Sequence, residues 1–162
     1  MPPSRPEPSP TVEPVPAPAP AATIHPMTAA DADAVADLLG QLGYPLAVAE
    51  VRERFLHLAQ GDDQLLLVAK AGGRVTGFLH AFAMASLHAP PRAYVQSLTV
   101  DEAARGSGVG AALMEAAETW ARARGLAACT LHSQLHREGA HRFYARLGYV
   151  EKKRSAYFVK AL

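Results

Sequence analysis

The sequence predicts a mixed α/β domain whose helices flank a mostly antiparallel sheet. Three observations lead there. Hydrophobic residues recur at helical spacing over residues 29–60. The pattern then changes to short apolar runs, first Leu65-Leu66-Leu67-Val68, turned back by Gly72-Gly73. Further on, a strand feeds a glycine-rich turn, a long helix and another strand. At 162 residues, with 49% hydrophobic and 19% charged side chains, the chain can bury one core and reads as one domain.

The elements follow in order. Ten of the thirteen prolines lie in the first 26 residues. Proline has no backbone donor, so residues 1–22 read as a disordered Pro/Ala-rich tail, partly polyproline II. Residues 23–162 form the single domain. A short strand at 23–25 comes first. Thr28 and Asp31 then make a capping box with Asp in place of Glu. They open a helix over 29–42, in which Val35, Leu38, Leu39 and Leu42 fall at helical spacing. Gly43 and Pro45 end it. Val51, Phe55 and Leu58 mark a second helix over 47–60. Strands at 64–71 and 74–85 form the hairpin. A loop holding Pro90-Pro91 leads to a fourth strand at 94–100. The glycine turn at 105–110 opens a helix that runs to about residue 124 and stops at Gly125. Residues 128–134 form a strand, and 137–147 a helix closed by Gly148. Two last strands are expected at 149–151 and 155–160, for about six or seven strands and about four helices.

The segment Arg105-Gly106-Ser107-Gly108-Val109-Gly110-Ala111 carries the chemistry. Three alternating glycines strip side chains from the turn, so a ligand reaches the backbone. The N–H groups that start the helix, the helix dipole and Arg105 all favour an anion there. The pattern suits a pyrophosphate. A P-loop requires Gly-Lys-Ser/Thr, whereas Ala111 and Ala112 follow Gly110. A dinucleotide fingerprint fits the letters Gly106-x-Gly108-x-x-Ala111. Yet the next strand, 128–134, has no acid to hold a ribose, and the turn follows a hairpin sheet instead of opening a βαβ unit.

Together with Ala140-His141-Arg142-Phe143-Tyr144-Ala145-Arg146-Leu147-Gly148-Tyr149, this turn makes the chain resemble the GNAT superfamily of N-acetyltransferases over about residues 23–162. The family's acetyl-CoA signature is Arg/Gln-x-x-Gly-x-Gly/Ala after its fourth strand, matched here by Arg105 to Gly110. The second segment looks like the family's A-x-x-F-Y-x-x-x-G-F/Y. The resemblance implies an acetyl-CoA-dependent N-acetyltransferase that moves an acetyl group to a primary amine by direct attack in a ternary complex. Arg105, Gly106, Ser107, Gly108, Val109, Gly110 and Ala111 would hold the pyrophosphate. Leu98, Thr99 and Val100 would pair with the pantetheine arm, as a peptide adds to a sheet edge. An N–H at Leu98 would face the thioester carbonyl and stabilise its oxyanion. Tyr144 is implied as general acid for the leaving thiolate, although its spacing with Ala140 and Leu147 alone points to core.

Members of the family often carry a carboxylate on the fourth strand. Tyr94-Val95-Gln96-Ser97 has none. The base therefore stays open among Glu102, His80, His88 and a water chain through Tyr94 or Gln96. The same departure leaves open a non-catalytic acyl-CoA sensor with this fold. Acceptor recognition is expected near 41–48 and in the loop 86–92.

Other classes are disfavoured. One cysteine, Cys129, excludes an internal disulfide and reads as inert core. His132, His136 and His141 span a strand, a loop and a helix without acidic companions, so no metal is expected. A net charge of +1 gives no polyanion-binding surface, and Lys152-Lys153-Arg154 reads as a solvated strand end. No apolar run approaches the roughly 18 residues of a membrane span, and no apolar leader is visible. A cytoplasmic protein without nucleic-acid or membrane partners is expected, with an amine-bearing acceptor as partner and a homodimer allowed by the resemblance.

Overall fold

The computed structural model describes residues 21–162; nearly all of the expected tail, residues 1–20, lies outside the described residues. The chain order is β1 (Thr23–Pro26), α1 (Ala32–Leu42), α2 (Val48–Leu58), β2 (Gln64–Ala71), β3 (Arg74–Ser86), β4 (Ala89–Val100), α3 (Val109–Ala123), β5 (Cys129–Leu131) and α4 (Glu138–Arg146). The sheet order is β1-β2-β3-β4-β5. Every pairing is antiparallel except β4 with β5.

Helices cover both faces of the sheet. On one face Leu67, Leu79, Ala81 and Val95 meet Leu113 and Met114 of α3. On the other, Val68 and Phe78 meet Val35 and Leu38 of α1 and Val51 of α2. This explains why β2 reads as a continuous apolar run: a strand buried on both faces has no polar side to alternate. Leu79, Leu113 and Met114 are wholly buried, each contributing roughly 2 kcal/mol of transfer free energy. The start of α3 lies close against β3 because Gly77 has no side chain. A Cβ there would stand 2.8 Å from Val109 Cγ1 and 2.9 Å from Leu113 Cδ1.

The expected capping box forms, with an addition that its spacing did not reveal. Buried Asp31 accepts from the Thr28 N–H at 2.8 Å and the Thr28 hydroxyl at 2.9 Å. Lys70 of β2 lies 2.7 Å from its other oxygen. Burial works to raise the Asp31 pKa, but Lys70 and Thr28 together pull it below the ordinary 3.8. A depressed carboxyl pKa contributes stability that is present above the unfolded value and lost as pH falls through the folded one. Asp31→Asn is therefore expected to cost about 2 kcal/mol at pH 7. The variant should also lose less stability than the wild type between about pH 4 and 2, as measured by urea unfolding at stepped pH.

Two sequence expectations change. Residues 147–162 carry no helix or strand, so the strands at 149–151 and 155–160 do not form, and the sheet has five strands. β5 pairs at three positions only, and a terminal hairpin without a long template is marginal in water. The expected loop at 86–92 is instead a tight hairpin, with Ser86 opposite Ala89. β4 thus begins at Ala89, and Pro90 and Pro91 fall in its irregular stretch, where a missing N–H is tolerated.

Candidate active site

β4 and β5 run together only at Ala93, Tyr94 and Val95. Beyond that point, residues 97–100 pair with β3 alone, and their other edge is open. The register slips there: His80 faces Ser97, whereas Ala81 faces Val95. Gln96 is the extra residue, and such a bulge bends the strand. The Asp101 N–H bonds to the Thr76 carbonyl at 2.9 Å. Alternation along an antiparallel pair then turns the backbone groups of Thr99 and Ser97 toward β3, and those of Leu98 and Val100 toward the open edge. Two of the three strand residues expected at the cofactor thus present N–H and C=O groups to the gap. Thr99 does not, and its buried hydroxyl has no partner among the described residues.

The open edge leads directly into the glycine turn. Gly106 and Gly108 sit at φ 79° and 86°, a region that favours glycine, and a Cβ on either would meet nothing within 4 Å. Gly108 caps α3. The N–H groups of Gly106, Gly108, Val109, Gly110 and Ala111 have no backbone acceptor among the described residues. Ser107 differs from its neighbours: its N–H and its hydroxyl both donate to the Ala104 carbonyl, holding the turn shut. Gly110 also has a packing reason. A Cβ there would lie 3.1 Å from Phe143 Cζ and 3.4 Å from Val100 Cγ2. Arg105 is exposed beside the turn, 3.9 Å from Glu102.

The gap opens into a cleft of about 2130 Å³, whose lining includes Tyr44 and Phe55 from the helical side, His80, Tyr94 and Leu98 from the sheet, and Tyr144 from α4. Tyr144 is half-buried, edge-on to Phe143 at 5.1 Å and to Tyr149 at 5.9 Å. Burial raises its phenol pKa, and the charge of Arg137 works the other way. Tyr94 and Tyr149 use their hydroxyls in hydrogen bonds, to His132 and Glu118. The Tyr144 hydroxyl has no such partner among the described residues. Tyr144 therefore packs through its ring and keeps its hydroxyl uncommitted, so the core and acid readings are compatible.

The candidate bases separate clearly. His88 sits at the β3–β4 hairpin tip, bonded to Ser86. Glu102 lies in the turn before the glycines, engaged with Arg105, while its N–H donates to Gln41 at 3.1 Å. His80 is in the cleft, but its Nε2 lies 2.9 Å from Gln64 Oε1 on β2, away from the gap. Burial lowers its pKa, so it is neutral near pH 7. Tyr94 is nearest the split, with its hydroxyl 3.0 Å from His132 Nδ1. That pairing joins residues 38 apart, and no local motif could have announced it. Ser133 also lines the cleft, its buried hydroxyl without a partner among the described residues. Cys129 is half-buried on β5, where burial and then the charge of Glu118 raise its thiol pKa. Among the described residues, no three His, Cys, Asp or Glu side chains cluster as metal ligands, and no helix is long and apolar enough to cross a membrane.

Comparison with known proteins agrees with this fold. Residues 33–149 match the Acetyltransferase (GNAT) family. An aminoglycoside N(6')-acetyltransferase type 1 from Stenotrophomonas maltophilia is 31% identical over 141 residues, covering 84% of this chain and 91% of that protein. Among solved structures, the apo aminoglycoside 6'-N-acetyltransferase AAC(6')-Ig from Acinetobacter haemolyticus has a TM-score of 0.74 at 22% identity, covering 86% of this chain and 99% of that one. AAC(6')-Iy in complex with CoA reaches a TM-score of 0.79 at 19% identity, covering 91% and 99%. At these identities the two structures show a shared fold. The fold and the family match define the chain as an N-acetyltransferase. It belongs to the GNAT acetyltransferase family, whose enzymes use acetyl-CoA.

Proposed function

We propose that this enzyme takes acetyl-CoA along the open edge of β4 and transfers the acetyl group to a primary amine entering from the side of α1 and α2. The observation that carries this reading is continuity. The outward N–H groups of Leu98 and Val100 run straight into the unpaired N–H groups at the start of α3. A chain of amides ending in a pyrophosphate fits that sequence of donors, and the empty space over Gly106 and Gly108 leaves room for it. Leu98 N–H then faces the thioester carbonyl and stabilises the oxyanion formed by attack. Tyr144 donates its phenol proton to the departing sulfur, with its raised pKa keeping it protonated.

The acceptor is proposed to be a monoamine with an apolar body, carrying one ammonium group and no more. The three similar proteins above are named for aminoglycosides, which are polycations. Two carboxylates line the cleft here, Glu118 and Glu151, and each already pairs with an arginine, at 3.1 and 2.6 Å. The lining also carries Arg137, Lys152 and Lys153, which pair with no carboxylate among the described residues, and Arg54, which lies 3.5 Å from Glu50. Such a surface repels multiple ammonium groups. An aminoglycoside such as kanamycin is therefore expected to show kcat/KM at least about tenfold below that of an aryl-alkyl monoamine. A thiol-release assay across an amine panel tests this. Turnover with any primary amine supports N-acetyltransfer, whereas acetyl-CoA binding without thiol release would assign a sensor instead.

A further inference from the structure

The geometry points to Tyr94 and His132 as a proton relay that serves as the base for the incoming amine. The inference rests on the N-acetyltransfer reading. That reaction turns an ammonium into an amide, so two protons must leave nitrogen while one is delivered to sulfur. β4 offers no carboxylate to receive the other.

Three observations place the pair. Tyr94 is in the short stretch where β4 and β5 still touch, and His132 is the first residue after β5. The pair therefore bridges the two strands at the vertex of the gap, with the hydroxyl and Nδ1 3.0 Å apart. Tyr94 faces Phe82 across β3, as Ser97 faces His80, so its ring lies on the face covered by α1 and α2. That is the side from which the acceptor is proposed to enter, opposite Leu98, which packs against the cluster under α3. Finally, His132 is exposed, so a proton that reaches its ring passes on to water. The ring contacts from Phe82 to Tyr94 at 5.3 Å and from Tyr94 to His132 at 5.6 Å hold the pair in place.

The steps balance as follows. The ammonium gives one proton to Tyr94 Oη as the Tyr94 hydroxyl proton moves to His132 Nδ1, and His132 releases a proton to solvent. The amine lone pair forms the C–N bond at the thioester carbon. The C–S bond then breaks, and the sulfur takes the phenol proton of Tyr144. The second nitrogen proton restores Tyr144 as the amide forms. Burial holds the Tyr94 phenol above its ordinary pKa, which suits a group that passes a proton without keeping a charge. His80, the other buried imidazole of the cleft, is directed to Gln64 and takes no part.

The test uses the full chain with Tyr94→Phe, His132→Gln, their double variant and His132→Ala. Glutamine can still accept the Tyr94 hydroxyl bond but cannot carry the proton, so it separates relay from mere positioning. Each single variant is expected to lose about 100-fold in kcat with unchanged acetyl-CoA affinity. The double variant should lose little more than either single one, as members of one unit do. Added imidazole should partly restore His132→Ala. Near wild-type kcat in His132→Gln, or losses that multiply in the double variant, would overturn the relay while leaving N-acetyltransfer standing. A wild type that binds acetyl-CoA but releases no thiol with any amine would overturn N-acetyltransfer itself, and the relay with it.

Discussion

Gly108→Glu is expected to weaken acetyl-CoA binding by at least about 100-fold, the largest effect of any single change considered. Gly108 is the N-cap of α3 at φ 86°. A Cβ there meets no protein atom within 4 Å, so a glutamate side chain has open space beside the unpaired N–H groups. A carboxylate in that position satisfies the donors itself and repels the phosphates. Gly108→Ala separates charge from backbone strain. It should cost roughly 1–2 kcal/mol of stability for the left-handed conformation and weaken binding far less. Isothermal titration with acetyl-CoA and thermal melts of both variants give the answer. Undiminished binding by Gly108→Glu would remove the pyrophosphate from this turn.

Tyr144→Phe is expected to match the relay variants in the size of its effect on turnover. It should lower kcat by about 100-fold and leave acetyl-CoA affinity and stability nearly unchanged. Stability should hold because the ring packing against Phe143 and Tyr149 survives and the hydroxyl has no partner to lose among the described residues. A general acid works only while protonated, so its contribution is lost as pH rises through its pKa. Burial raises that pKa above the ordinary 10. Tyr144 should therefore impose no fall in kcat below about pH 10. Initial rates of thiol release for wild type and variant, from pH 6 to 10, test both points. Equal kcat in the two proteins would return Tyr144 to the core.

The parts of this protein legible in its sequence are those set by neighbours along the chain. The box of Thr28 and Asp31, the amphipathic face of α1 and the hairpin at Gly72-Gly73 each depend on a few consecutive residues. So does the glycine turn, where Gly106 and Gly108 need a left-handed backbone and a bare surface. The failures came where a distant partner decides. Residues 149–160 have strand-forming side chains, yet a strand exists only if an edge is there to receive it. The ladder of β5 closes after three residues. Pro90 and Pro91 suggested a loop, but the pairing of Ser86 with Ala89 carried β4 through them.

The candidate site divides along the same line. By itself the sequence determined the glycine turn, the tyrosine on α4 and the absence of a carboxylate on the fourth strand, because all three are properties of contiguous residues. Only the tertiary structure decided which of them face one another. The bulge at Gln96 opens the strand, and the alternation of backbone groups selects Leu98 and Val100 over Thr99. Crossing from β4 to β5 brings Tyr94 to His132. Hydrogen bonds reach about 3 Å regardless of separation along the chain, so a contact between residues 38 apart leaves no trace in either one's local pattern.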